Sequence, residues 1–290
     1  MNIQEQNLYI MSLLARFLNN APDCIDGAAV RELSDVCGLT DEEAYTYLLA
    51  AYCGIDIDGD NRVLFDEYFV KMVKRIDPND LIRNPYYRNI DLSNIRRDGV
   101  EFRHCRYKPF EAFVSDDTIM QPDGRIIPQI GFFDCEQEYP AILENGRIWM
   151  TVTPLEINTI QPCINAAHGK VLAFGLGLGY FAYMAARKKE VKLVTVVERN
   201  RSIIELFTEQ LLPQFGDISD KLNIVCADAF DYAKRSMGCE GFDFIFTDLW
   251  HDVYDGEPMY FRMKELEQYS PNSQFMYWIE QSILCHIKGF

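Results

Sequence analysis

The C-terminal half of this chain is expected to fold as an α/β domain built on a doubly wound parallel sheet. Three observations point there. From about residue 155 onward, short apolar runs alternate with helical segments. The first of those runs, Lys170 to Phe174, opens into Gly175, Gly177 and Gly179. The next three runs end at or beside the acids Glu198, Asp228 and Asp248. Apolar strands separated by helices belong to a parallel sheet covered on both faces.

The elements can be justified in chain order. Residues 1–80 read as helical. Tyr9, Met11, Leu13, Leu14, Phe17 and Leu18 recur with helical period. A second helix is predicted from Ala28 to Cys37, closed by Gly38. A third begins at Thr40 as cap, carries Asp41, Glu42 and Glu43 in its first turn, and ends near Cys53 before Gly54. A fourth is predicted from Asp66 to Arg75. Pro78 and Asn84-Pro85 then make residues 77–95 a linker. Residues 1–95 are thus expected to form a small helical domain with its linker.

Within it, Asp56-Ile-Asp58-Gly-Asp60-Asn61 through Glu67 admits two readings. It matches the twelve-residue calcium loop in its acids at positions 1, 3, 5 and 12, with Asn61 where that loop has glycine. It also reads as a short hairpin, Ile55–Ile57 against Val63–Phe65, giving a winged-helix-like module. The hairpin is the favoured reading. Residues 1–80 hold 15 acids and 6 bases, a balance that opposes nucleic-acid binding.

Residues 96–155 carry short β-type runs with turn signals. Asp123-Gly124 separates runs near Thr118 and at Arg125–Ile127; Asn145-Gly146 separates Ala141–Leu143 from Arg147–Val152. A helix from Glu156 to Ala167 opens the third segment, 156–290. Its strands are predicted at Val171–Phe174, Leu193–Val197, Leu222–Cys226, Phe242–Thr247 and Phe275–Ile279. Its helices are predicted near 180–188, 201–211, 229–236 and 259–268.

Composition narrows the function classes. The 290 residues carry 28 Lys and Arg against 44 Asp and Glu, a formal charge of −16. That disfavours a phosphate backbone as partner and mildly favours a cationic or neutral small molecule. No apolar run reaches the roughly 20 residues of a membrane span, and the first residues do not read as a signal peptide. Nine cysteines without a CxxC pair suit reduced, cytoplasmic thiols. Four histidines without ligand spacing argue against a zinc site, so no metal is expected.

The chemistry concentrates in four segments. Gly175, Gly177 and Gly179 follow a buried strand, where glycine lets a ligand approach the backbone closely. The spacing is G-x-G-x-G, with bulky Tyr180 where nicotinamide-binding loops need a small residue. Glu198 ends the second strand, positioned to accept from two ribose hydroxyls. Asp228 and Ala229 follow the third strand, where an acid can accept from an adenine amino group; Asp228 also reads as a helix N-cap. The fourth strand ends at Asp248, followed by Trp250, His251, Asp252 and Asp255. Ligands of open parallel sheets sit beyond the carboxyl ends of strands. Asp248 and His251, with Asp252, are therefore candidates for removing an acceptor proton. Trp250, Asp252 and Asp255 are candidates for holding the acceptor.

In this order, residues 170–256 resemble the class I S-adenosylmethionine-dependent methyltransferases, a Rossmann-like superfamily. The resemblance implies that Gly175, Gly177 and Gly179, with flanking Phe174 and Tyr180, line the methionine moiety. It implies that Glu198 holds the ribose, Asp228 with Ala229 the adenine, and that Asp248 adjoins the cofactor. The implied reaction is in-line methyl transfer to a small-molecule acceptor. The acid-rich final loop also resembles the spermidine synthase branch, which transfers aminopropyl from decarboxylated S-adenosylmethionine. That branch has an acid in a longer glycine loop, where this chain has Leu176 and Leu178, and a tighter acid-serine-acid spacing than Asp248 to Asp252. Aminopropyl transfer therefore ranks second and a non-catalytic binding module third. The superfamily usually closes its sheet with a hairpin. Here about ten residues follow the fifth strand, so segment 96–155 or a second subunit of a homodimer is expected to cover that edge.

Overall fold

A computed structural model describes residues 1–287. The described chain divides into two compact units: residues 1–80 with 106–138 and 284–287, and residues 81–105 with 139–283.

The first unit is helical with a three-stranded sheet. Helices Ile3–Asn20, Gly27–Cys37 and Asp41–Tyr52 begin and end where their caps place them. Thr40 and Glu43 form a reciprocal capping box, and Gly38 closes the second helix with φ 68°. Ile10, Leu13, Leu14 and Phe17 of the first helix enter a core with Tyr45, Leu49, Phe65, Phe69 and Phe132. The favoured hairpin at 55–65 is not formed. Residues 57–61 make turns, and residues 62–72 are helical, π-wound over Phe65–Phe69. Burial explains the outcome: Leu64, Phe65, Tyr68, Phe69 and Met72 all reach the core, and helical spacing gathers them on one face as period two would not. Two of the four acids of the alternative calcium reading, Asp56 and Glu67, have local partners. Asp56 accepts from the Asp58 amide, Asp66 pairs with Arg62, and Glu67 pairs with Lys71. The predicted fourth helix also stops short, because Val73–Arg75 are a strand.

That strand runs parallel to Ile126–Phe132, which pairs antiparallel with Phe113–Met120 around Asp123-Gly124. The ladder is irregular between partners Gln129 and Ile127, the positions flanking Pro128, which has no N–H to donate. One buried polar residue ties helix to turn. Asn7 donates from Nδ2 to the Gly124 carbonyl (3.0 Å), while its Oδ1 accepts from the Tyr68 hydroxyl (2.8 Å) and the Ile126 amide (3.1 Å). Replacing Asn7 by leucine leaves all three partners unmatched, and we expect a loss of about 2–4 kcal/mol in urea unfolding. A loss below 0.5 kcal/mol would mean that the three groups find other partners.

The second unit carries the parallel sheet. Its strands are β1 (Gly169–Phe174), β2 (Val191–Glu198), β3 (Leu222–Cys226), β4 (Phe244–Thr247) and β5 (Gln274–Tyr277). All pairings are parallel, in the order 3-2-1-4-5, which is the Rossmann-like doubly wound arrangement. Val171, Leu172, Val194, Val196, Phe244 and Ile245 are fully buried, as strands covered on both faces must be. The helix after β4 begins at Val253, earlier than expected. The stretch taken as a linker contains two short helices, Pro78–Arg83 and Pro85–Asn89, each started by a proline that fits a first turn.

An antiparallel sheet of Ile95–Arg97, Val100–Tyr107, Gln137–Glu144 and Arg147–Thr151 completes the elements. Asn145 and Gly146 turn its last hairpin with φ 50° and 81°, the left-handed pair of a two-residue turn. None of these strands pairs with β5, whose one partner among the described residues is β4; helix Glu280–Ile287 follows it. Segment 96–155 therefore adds no strand to that edge; the other expected cover was a second subunit.

Candidate functional site

At the carboxyl ends of β1–β4 lies a cavity of about 600 Å³, bounded entirely by residues of the second unit. Strand order explains its place. Strand order reverses at β1, with β2 and β3 on one side and β4 and β5 on the other, so the loops leaving β1 and β4 diverge and open a crevice. Gly175 and Gly177 from the first loop, Glu198 from the second, Asp228 and Ala229 from the third, and Asp248, Trp250, His251 and Asp255 from the fourth all reach its wall.

The glycine loop is shaped by its contacts. Gly175 has φ 99°, and a Cβ there would lie 2.0 Å from the Asp248 carbonyl oxygen. Gly177 has φ 50°, and a Cβ would meet the Met150 sulfur at 1.7 Å. Both glycines thus let neighbouring chain close around the crevice. Glu198 holds the loop from the side: Oε2 accepts from the Leu176 amide (3.2 Å) and Oε1 from the Asn200 amide (2.7 Å). A carboxylate has about four lone-pair directions, so each oxygen retains capacity toward the cavity. Asp228 caps the helix behind it, its Oδ1 accepting from the Phe230 and Asp231 amides, both at 3.0 Å. Its cap role and a free Oδ2 coexist. Beside it, the Phe230 ring lies 3.7 Å beneath the Arg262 guanidinium.

Asp248 differs from these acids. Its backbone amide donates to the Phe174 carbonyl (2.9 Å), which fixes the residue at the tip of β4. Its carboxyl receives no hydrogen bond from the described residues. Burial, and then the neighbouring Glu156 and Glu198 carboxylates, push its pKa up to about 8. Asp255 accepts from the His251 and Asp252 amides, and Asp252 accepts from the Tyr254 and Asp255 amides. Together they form the capping box of helix Val253–Leu266. His251 is exposed, with its ring 5.8 Å from that of Trp149.

Four of the residues singled out in the sequence stand outside the wall. Phe174 and Tyr180 are buried in the core. The Tyr180 hydroxyl accepts from Asn84, and its ring meets Tyr86 edge to face at 5.5 Å. Gly179 packs against the Phe207 ring. The Asp252 carboxylate caps helix Val253–Leu266 and lies outside the wall.

The wall also includes residues that sequence reading passed over. Glu144, Trp149, Met150 and Thr151 come from the hairpin, Leu155 and Glu156 from the start of helix Pro154–Ala166, and Trp278 from the end of β5. Glu156 accepts from the Thr153 amide and hydroxyl and from the Thr151 hydroxyl, and burial raises its pKa. The Trp278 indole donates to Thr159 (2.9 Å). Two signals were available. Thr153-Pro-Leu-Glu156 is a capping-box pattern, and Trp278 follows the last strand at the end where ligands bind.

No protein-family model matches the chain, and no curated protein matches it. Among solved structures it is similar to a candidate O-methyltransferase from Klebsiella pneumoniae, at 19% identity over 38% of this chain and 47% of that one, with TM-score 0.29. It is similar to a conserved hypothetical protein from Streptococcus pyogenes, at 19% identity over 37% and 61%, with TM-score 0.30. It is also similar to precorrin-8W decarboxylase from Methanobacterium thermoautotrophicum, at 16% identity over 43% and 62%, with TM-score 0.32. The chain spans less than two thirds of the length of each, and the likeness is partial and one of fold. No described helix is long and apolar enough to cross a membrane, and all nine cysteines are free.

Proposed function

We propose that this cavity binds S-adenosylmethionine and that the protein is a methyltransferase acting on a small-molecule acceptor. One observation carries the reading: Gly175, Gly177, Glu198, Asp228, Ala229 and Asp248, spread over 74 positions of sequence, bound one space of about 600 Å³. That volume lies within the usual range of small-molecule sites, roughly 300–1,000 Å³. The bare backbone at Gly175 and Gly177 would adjoin the methionine portion. The spare lone pairs of Glu198 would take the ribose hydroxyls. Asp228 Oδ2 would accept from the adenine amino group, with Ala229 and Phe230 against the ring. The bound cofactor supplies a methyl group on an already activated sulfonium. The protein's part is then to orient the acceptor and exclude water. Trp250 and Trp278, both buried, border the same space, and Asp248 would hold or remove an acceptor proton.

A thermal-shift titration tests this with S-adenosylmethionine, its demethylated product and its decarboxylated form side by side. Saturation at about 100 times the dissociation constant adds roughly 2.7 kcal/mol, a rise of a few degrees. Stabilisation by the first two is the expected result. A preference for the decarboxylated form would move the reading to aminopropyl transfer. No shift with any of the three would remove the cofactor assignment.

A further inference from the structure

The charge and ring content of this cavity go beyond what a cofactor alone calls for. Its wall holds six carboxylates, Glu144, Glu156, Glu198, Asp228, Asp248 and Asp255, against a single guanidinium, Arg199, and His251. All three tryptophans of the chain, Trp149, Trp250 and Trp278, border the same space. Under the reading above, Glu198 and Asp228 serve ribose and adenine. S-adenosylmethionine carries two positive groups, its sulfonium and its ammonium, so the four remaining carboxylates exceed its needs. Among these, Asp248 is the one whose carboxyl has neither a hydrogen bond nor a salt bridge within the described residues. A bound cation offsets the cost of ionising an unpaired carboxyl set among other acids, which otherwise holds its proton to higher pH. Indole faces attract the same ligand through their negative π surface, and pairing an acid with tryptophan faces is how proteins hold ammonium groups.

We propose that the second ligand of this cavity is a small organic cation, an amine held by Asp248, with Glu156 adding negative charge beside it and tryptophans bordering the same space. The proposal rests on the methyltransferase reading only for the amine's role as acceptor. Transfer to such an amine forms one N–C bond while the methyl's C–S bond breaks, its electron pair remaining on sulfur. The cationic amine first gives up a proton to the Asp248 carboxylate or to water, which frees the nitrogen lone pair that forms the new bond. Glu156 is a positioning residue here, because its oxygens are engaged by Thr151 and Thr153.

The test uses a permanently charged probe, choline, and its uncharged carbon isostere, 3,3-dimethylbutan-1-ol. Binding to the full chain is followed by intrinsic fluorescence, since every tryptophan borders the cavity. Choline is expected to give a saturable change, with the isostere at least tenfold weaker. Asp248→Asn should weaken choline about tenfold. Trp149→Phe, at the exposed rim, should weaken it severalfold, and it gives a second readout should the first variant fold poorly. Saturating demethylated cofactor should leave choline bound. Equal binding of probe and isostere, or no binding of choline, would overturn the proposal. So would displacement of choline by the demethylated product, because the acids would then be serving the cofactor itself. A protein that binds S-adenosylmethionine but not choline loses this inference and keeps the cofactor reading. Choline bound without any cofactor response has the opposite consequence.

Discussion

Gly175→Ala is expected to destabilise the second unit by about 3–5 kcal/mol and to abolish binding at the cavity. Two costs combine at this position. The backbone stands at φ 99°, a region that side-chain-bearing residues avoid at a cost of about 1–3 kcal/mol. The new methyl would also lie 2.0 Å from the Asp248 carbonyl oxygen. That oxygen belongs to the backbone at the tip of β4, which is anchored by the bond from the Asp248 amide to Phe174. Relief therefore requires the β1 and β4 loops to part at the crevice floor. Gly177→Ala is the control. Its φ of 50° is a left-handed value that alanine tolerates at lower cost, and its steric neighbour is the Met150 thioether, a flexible side-chain end that can move. Urea unfolding of both variants, with cofactor titration on each, separates the cases. Equal losses from the two substitutions would show that the carbonyl contact at Gly175 is not the controlling feature.

Asp248→Asn is expected to raise stability at pH 8 by about 1–3 kcal/mol while lowering turnover at least a hundredfold. The acid's pKa stands near 8 in the folded chain, against 3.8 when unperturbed. Below about pH 4 the carboxyl is protonated whether the chain is folded or not, and the fold bears no cost. As pH rises from 4 toward 8, the unfolded chain releases this proton while the folded chain retains it. Stability from this group therefore falls across that window and levels off above 8. The unrelaxed cost is on the order of 5 kcal/mol, and water reaching the cavity lessens it. The groups acting on Asp248 are Glu156 from the flanking helix and Glu198 from the tip of β2. Glu144, Asp228, Asp255, Arg199 and His251 complete the charged and titratable wall. Asparagine removes the titration and leaves the shape. The stability difference between variant and parent should thus grow with pH from 5 to 8; a difference constant over that range would exclude a buried proton at Asp248. Undiminished turnover with normal cofactor binding would exclude Asp248 from the chemistry.

Much of the sheet and part of the site were legible before any coordinates. Runs such as Val171–Phe174 and Phe244–Phe246 are apolar at every position, which signals a strand covered on both faces. Gly175, Glu198, Asp228 and Asp248 follow such runs, and strand ends in a parallel sheet converge by geometry. The N-terminal caps at Thr40 and Gly38 were equally plain, because a cap is a contact between residues three or four apart. The turn at 57–61 and helix at 62–72 were misread where local signals conflicted. Asp58-Gly-Asp60 favours a turn, but the strand or helix that follows it is chosen by what it packs on. Here the core accepts Leu64, Phe65, Tyr68, Phe69 and Met72 together. Tyr180 and Asp252 were assigned to the site by proximity in sequence. Their side chains face Asn84 and a helix terminus instead.

By itself the sequence determined that strands alternate with helices in the C-terminal half, that the first strand ends in a glycine loop, and that acids stand at the ends of the next three. These follow from periodicity and from spacing within a few residues, the range over which backbone hydrogen bonding acts. Only the tertiary structure decided that Glu156 and three tryptophans share the cavity with those acids, and that burial and neighbouring carboxylates raise the Asp248 pKa. Burial and charge repulsion are sums over neighbours brought together from distant parts of the chain, and no local pattern specifies such a sum.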